Sequence, residues 1–160
     1  MQVLIRTYRA KDRKHLIAIF HSNCPRYFDP ADIDDLHYYL DHFADGNFKV
    51  LLLDGKLVGC GGHYVKQEEK VFGIAWVMFK RHALGACNIK RIAAIFFADI
   101  LTAIQKEPYT FDILINTTPI MERLFNTYGF ETEQVIKDGF GQNLDHIVMR
   151  RLFHIHPPGS

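Results

Sequence analysis

The chain has 160 residues, of which 48% are hydrophobic, 13% aromatic and 23% charged. That length supports one domain with a true core, since a chain of this size buries roughly 70% of its unfolded surface. The apolar fraction excludes a disordered or low-complexity protein. Nineteen Lys and Arg against eighteen Asp and Glu leave a net charge of +1, so no bulk field draws the chain to nucleic acid or to a membrane surface.

In chain order, residues 3–8 alternate apolar and polar side chains and read as a first strand. Lys11-Asp12 lead into an amphipathic helix with Leu16, Ile17, Ile19 and Phe20 at helical spacing. Pro25 and Pro30 interrupt it, and a second helix is expected from Ala31, with Asp29 as N-cap and Gly46 as its end. Asp54-Gly55 between the apolar runs 49–53 and 56–65 is a strong hairpin signal, because both turn residues need positive φ. A further strand is expected at 71–79, then a long helix opening at Gly85 and running to about Gln105, stopped by Pro108. Residues 111–116 read as a buried strand. Thr118-Pro119 is an N-cap signal for a short helix at 121–127, and two closing strands, 130–137 and 145–153, flank a loop at Asp138-Gly139-Phe140-Gly141.

The reading is therefore a single α/β (α+β) domain over residues 1–153, with a mixed central sheet flanked by helices in the order β-α-α-β-β-β-α-β-α-β-β. Residues 154–160 are expected as a disordered tail. The N-terminal residues lack the long apolar stretch of a secretory signal, and the most hydrophobic stretch, 92–104, is short and carries Asp99. Cys24, Cys60 and Cys87 are odd in number with no close pair, so a reducing, cytoplasmic setting is expected. Cys60-Gly61-Gly62-His63 has the spacing of half a zinc site but lacks a second half, and no metal is expected.

Three local features bear on chemistry. The strand at 71–79 runs through His82-Ala83-Leu84-Gly85-Ala86-Cys87-Asn88 into a helix. Small residues at that N-terminus leave amides and a helix dipole open to a phosphate or pyrophosphate. A parallel strand follows by a right-handed crossover. The segment 118–130 ends in Phe125-Asn126-Thr127-Tyr128-Gly129-Phe130.

On these motifs the chain resembles the GNAT acyl-CoA N-acyltransferases. The family's cofactor loop, Gln/Arg-x-x-Gly-x-Gly/Ala, aligns with His82-Ala83-Leu84-Gly85-Ala86-Cys87, where Gly85 matches and His82 and Cys87 depart. Its later Tyr-x-x-x-Gly-Phe signature falls on 125–130, with Phe125 at the tyrosine and Thr118 at an upstream asparagine. Trp76-Val77-Met78, His82, Asn116-Thr117-Thr118 and Asp138-Gly139-Phe140-Gly141 with Asp145 look like a subgroup of that family.

The resemblance implies acyl transfer, acetyl first, from acetyl-CoA to a primary amine of a small molecule. The alternative is a catalytically silent GNAT-fold module that binds acyl-CoA or regulates. Implied cofactor contacts are Val77, Met78, Phe79, His82, Ala83, Leu84, Gly85, Ala86, Cys87, Asn88, Thr118 and Phe125. Phe125 cannot protonate a thiolate, so another acid or water would serve; Tyr128 is the candidate acid and His63 the candidate base. Lys80, Arg81, Lys90 and Arg91 could reach the ribose phosphate or form a solvated rim. The aromatic and acidic segment 27–45 could be a substrate wall or a helix showing acids to water. No nucleic-acid or membrane partner is expected. The closing strands could pair in a homodimer, and a monomer fits equally well.

Overall fold

Two hydrophobic clusters, one on each face of a single sheet, organise the chain. The computed structural model describes residues 1–154, with the side chains of Ala86 and Cys87 outside the described set. The expected tail thus lies, from residue 155 onward, outside the described residues. The elements are β1 (Val3–Thr7), α1 (Arg13–Ser22), α2 (Ile33–His42), β2 (Phe48–Leu53), β3 (Lys56–Lys66), β4 (Val71–Phe79), α3 (Ala86–Gln105), β5 (Asp112–Thr117), α4 (Pro119–Asn126), β6 (Glu131–Gly141) and β7 (Leu144–Arg151). This is the expected order, with short 3-10 turns added before α1 and α2.

The seven strands lie in the order β1-β2-β3-β4-β5-β7-β6. Only the β4–β5 pair is parallel, joined through α3; the other pairs are antiparallel. On one face α3 and Phe125 of α4 pack on Leu51, Phe72, Ile74, Ile115, Ile147 and Met149. On the other, α1 and α2 bury Leu16, Phe20, Leu36 and Leu40 against Phe48, Val50, Cys60 and Met78. Asp54 and Gly55 adopt φ of 48° and 82°, the left-handed pair that a two-residue hairpin requires.

Three local expectations are corrected. The second helix ends at His42 rather than Gly46. Asp45 stops the chain there: its Oδ1 accepts the Asn47 N–H at 2.8 Å, its carbonyl accepts the Phe48 N–H at 3.0 Å, and the segment turns into β2. Residues 138–141 are not a loop but the end of β6, and the reversal falls at Gln142-Asn143. Thr118 caps α4 by backbone position, yet its hydroxyl makes no capping bond. No helix among the described residues is long and apolar enough to cross a membrane.

Candidate active site

The site is made by a strand pair that stops pairing. The β4–β5 register runs from Val71 opposite Asp112 to Ile74 opposite Ile115 and goes no further, although β4 continues to Phe79. A bulge coincides with the parting. Cys60 faces Met78 but Gly62 faces Ala75, so Trp76 and Val77 together oppose Gly61. Trp76 takes a φ of 51°, a conformation a bulky residue adopts only under constraint. The extra residue reverses the alternation: Ile74 packs with the α3-side core, while Trp76 and Met78 pack with the α1/α2 side. Strict two-residue periodicity would place all three on one face. Gly61 permits the bulge, since a Cβ there would lie 2.9 Å from Val77 Cγ2.

Beyond Ile74 the two strands border a continuous cleft of about 1610 Å³, larger than the roughly 300–1,000 Å³ of a drug-sized pocket. One end lies at the N-terminus of α3. Gly85 occupies the N-cap, and its carbonyl accepts the Asn88 and Ile89 N–H groups at 2.9 and 3.0 Å. The amides preceding these have no intrahelical acceptor. A Cβ on Gly85 would meet nothing within 4 Å, so the space above this turn is open. The approach to the turn is pinned: Lys80 N–H donates to the Val58 carbonyl at 2.7 Å, and buried Asn23 Nδ2 bridges the carbonyls of Ile19 and Phe79 at 2.8 and 2.9 Å.

Of the expected cofactor contacts, Val77, Met78, Phe79, His82, Leu84, Thr118 and Phe125 line this one cleft. Lys80, Arg81 and Lys90 line it too, whereas Arg91, Ala83, Gly85 and Asn88 are not among its walls. The side chains of Ala86 and Cys87 lie outside the described residues. Thr118 is 5% exposed, and its Oγ1 is buried without a hydrogen-bond partner at the cleft wall. An unsatisfied buried hydroxyl costs about 1–3 kcal/mol, so this atom is poised for a polar group entering the cleft.

The two acid–base candidates do not join them. His63 is 2% exposed, faces the α3 side with its ring edge-on to Phe72, and its Nε2 pairs with Glu107 Oε1 at 3.0 Å. Its ring is engaged by Phe72 and Glu107 and is not among the walls of the cleft. Tyr128 packs against Phe97, ring centroids 4.7 Å apart, and borders a small apolar cavity behind Phe125. Burial raises its phenol pKa, but the ring is not a wall of the cleft. Phe125 borders both spaces, together with Val77, Phe79, Ala93, Met121 and Leu124. The half-zinc spacing also dissolves: Cys60 donates to the Trp76 carbonyl at 3.3 Å on the α1/α2 side, and His63 sits on the opposite face.

The other end of the cleft is aromatic and acidic. Tyr27, Phe28, Tyr39, Phe43, Tyr64 and Phe140 line it with Asp32, Asp35 and Asp45. Trp76 and Phe79 are half-buried and reach the cleft as well. Burial, then Asp29 and Asp35, raise the Asp32 carboxyl above its usual range. Two other acids of the segment are used locally. Asp29 Oδ1 accepts the Ala31 N–H at 2.8 Å, and Asp41 pairs with Arg13. Tyr64, Asn23 and the pair Asn116–His146 belong to the site without having been assigned a role from sequence. Asn116 was legible only as part of a motif; nothing local distinguished His146 from the other eight histidines.

No family model matches the sequence, and no curated protein matches it. Solved structures do. An N-acetyltransferase from Staphylococcus aureus aligns with a TM-score of 0.74 over 96% of this chain and 99% of its own, at 12% identity. A Desulfovibrio desulfuricans protein described as a GNAT-family acetyltransferase aligns at 0.64, covering 95% and 99%, with 17% identity. N-acetylglutamate synthase from Neisseria gonorrhoeae, solved with coenzyme A and N-acetyl-glutamate, aligns at 0.64 and 18% identity over 97% of this chain and 36% of its own. The chain has the fold of GNAT acetyltransferases.

Proposed function

We propose that this protein is an acyl-CoA-dependent N-acyltransferase that moves an acyl group, acetyl first, from acetyl-CoA to the primary amine of a small molecule. The observation that carries the reading is the parted β4–β5 pair, with an open helix N-terminus at one end and the unpartnered Thr118 hydroxyl in its wall. An extended thiol ester with a pyrophosphate handle matches that sequence of features. Amides at the start of α3 and the side chains of Lys80, Arg81 and Lys90 hold the phosphates. Thr118 Oγ1 and the backbone edge of β4 beyond Ile74, which has no β5 partner, bond the amide-bearing arm.

The gap carries the thioester through the sheet to the α1/α2 side. There Asp32, Asp35 and Asp45 favour a cationic acceptor, and the aromatic walls exclude water around it. Backbone donors at the bulge stabilise the charge that develops on the thioester oxygen. Fixing both reactants in one cleft supplies much of the acceleration. Phe125 bounds the acyl end.

A second reading, a CoA-binding module without turnover, is favoured by one observation: neither His63 nor Tyr128 borders the cleft. Thermal-shift titration with CoA and acetyl-CoA tests what both readings share. Ligand at 100 times its Kd stabilises by about 2.7 kcal/mol, and no shift at millimolar ligand overturns both. Thiol release from acetyl-CoA across a panel of small amines then separates them: turnover above the buffer rate identifies the enzyme, and silence with intact binding identifies the module.

A further inference from the structure

The cleft contains a histidine that the mechanism has not yet used. His146 stands at the cleft end of β7, its ring stacked on Phe140 with centroids 4.3 Å apart. Its Nε2 lies 2.7 Å from Asn116 Oδ1. A carboxamide oxygen can only accept, so Nε2 carries the proton and Nδ1 is left with its lone pair. No hydrogen bond among the described residues involves Nδ1.

The position is set by register. Thr117 faces Ile147 across the β5–β7 pair, so the next step along both strands brings His146 level with Thr118. Ile115, Ile147 and Met149 lie in the α3-side core, so Asn116 and His146 project to the other face. That is the face of Trp76 and of the aromatic and acidic walls. The imidazole therefore sits where a chain threaded through the gap emerges, not at the phosphate end. Gly139 leaves room for it, because a Cβ there would lie 2.5 Å from His146 Cβ. Burial also lowers the His146 pKa below its ordinary 6.5, which keeps the ring neutral at pH 7.

We propose that His146 is the base of the acyl transfer, with Asn116 as the positioning residue that holds it in the Nε2–H form; this rests on the acyltransferase reading. In the step, the acceptor ammonium first releases one proton to solvent; the free amine nitrogen then bonds to the thioester carbon while a second proton passes to His146 Nδ1. The carbon–sulfur bond breaks, and the imidazolium returns that proton to the departing sulfur, giving amide and free thiol. One residue thus covers both proton transfers, and the missing hydroxyl at Phe125 is no obstacle.

Affinity labelling tests the role without knowledge of the acceptor. Bromoacetyl-CoA places an alkylating carbon at the acyl position; the Nδ1 lone pair forms the nitrogen–carbon bond and bromide leaves. The expected result is one adduct on His146, located by mass spectrometry, suppressed by CoA and lost in His146→Gln while that variant keeps wild-type CoA affinity. Turnover of His146→Gln with any active amine falls by roughly 10²–10⁴-fold. Asn116→Ala moves the ring from the Nε2–H form, read by long-range ¹⁵N NMR, and Asn116→Asp restores both tautomer and labelling. CoA-protected labelling at another residue, or an unchanged rate in His146→Gln, overturns the proposal while leaving the acyltransferase reading intact. Absence of CoA stabilisation in the wild type overturns both.

Discussion

The ring of Tyr64 occupies the space that a side chain at Gly73 would need. Cζ, Oη and Cε1 all crowd the Cβ position of residue 73, its partner across the β3–β4 pair. The missing side chain therefore lets Tyr64 lie over β4 and form a wall of the cleft.

Gly73→Ala pushes that ring toward the cleft. The crowding costs about 1–3 kcal/mol of stability. The acceptor KM rises while the CoA-induced shift in Tm keeps its size, because the phosphate end lies at α3. Steady-state kinetics beside thermal-shift titration check this; a weakened CoA response would place Tyr64 on the wrong side of the gap.

Gly85→Glu tests the phosphate end with little risk to folding. Position 85 has a φ of −62° and open space at its Cβ, so a larger residue fits the backbone. The added carboxylate faces the helix N-terminus where the pyrophosphate is proposed to bind. The expected outcome is an unchanged Tm without ligand and no shift with CoA; retained affinity refutes the assignment of the loop.

Phe125 is one of the side chains shared by the cleft and the small cavity that Phe97 and Tyr128 border. Phe125→Ala costs about 3–5 kcal/mol for a side chain this buried, and joins the two spaces. The variant gains butyryl-CoA turnover relative to acetyl-CoA. A ratio equal to that of the wild type would show that the acyl group does not rest against this ring.

Acid stability depends on a pair far from the site. Arg6 donates to both carboxylate oxygens of Asp12 at 2.8 Å, the Arg9 N–H adds a third bond at 2.8 Å, and Asp12 is 3% exposed. The Arg6 bonds come first in lowering the Asp12 pKa; the Arg9 amide and Lys11 act in the same direction, and burial opposes them. The folded value lies below the ordinary 3.8, so the contribution is fully present above that pH and is lost as the pH falls through the folded value. Asp12→Ala removes this part of the acid slope and lowers stability near neutral pH by about 1.5–3 kcal/mol, the worth of hydrogen bonds to a charged group, since Arg6 stays partly solvated. Urea unfolding between pH 3 and 7 measures both.

Element order was legible because its signals are local. Asp54-Gly55 turns, Gly85 opens α3 and Pro119 opens α4, each through backbone preferences that neighbouring residues cannot override. The limits of α2 and β6 were not, since Asp45 ends the helix through a turn of its own, and β6 is prolonged by pairing with β7. Among the residues that line the cleft, Val77, Met78, Phe79, His82, Leu84, Thr118 and Phe125 were named in advance through the family resemblance. His63 could not be excluded from the sequence, because two-residue alternation does not say which face holds the cleft.

The even charge balance of the chain, by itself, required any attraction for an anion to be local, and the order of motifs set the β-α-α-β-β-β-α-β-α-β-β frame. Only the tertiary structure decided which side chains meet at the cleft. The bulge at Trp76 reverses the faces of β4, and the β5–β7 register brings His146, thirty positions from Asn116 in sequence, to 2.7 Å from it. Both arise from long-range strand pairing, whose register depends on partners remote in the chain rather than on any residue's own propensity.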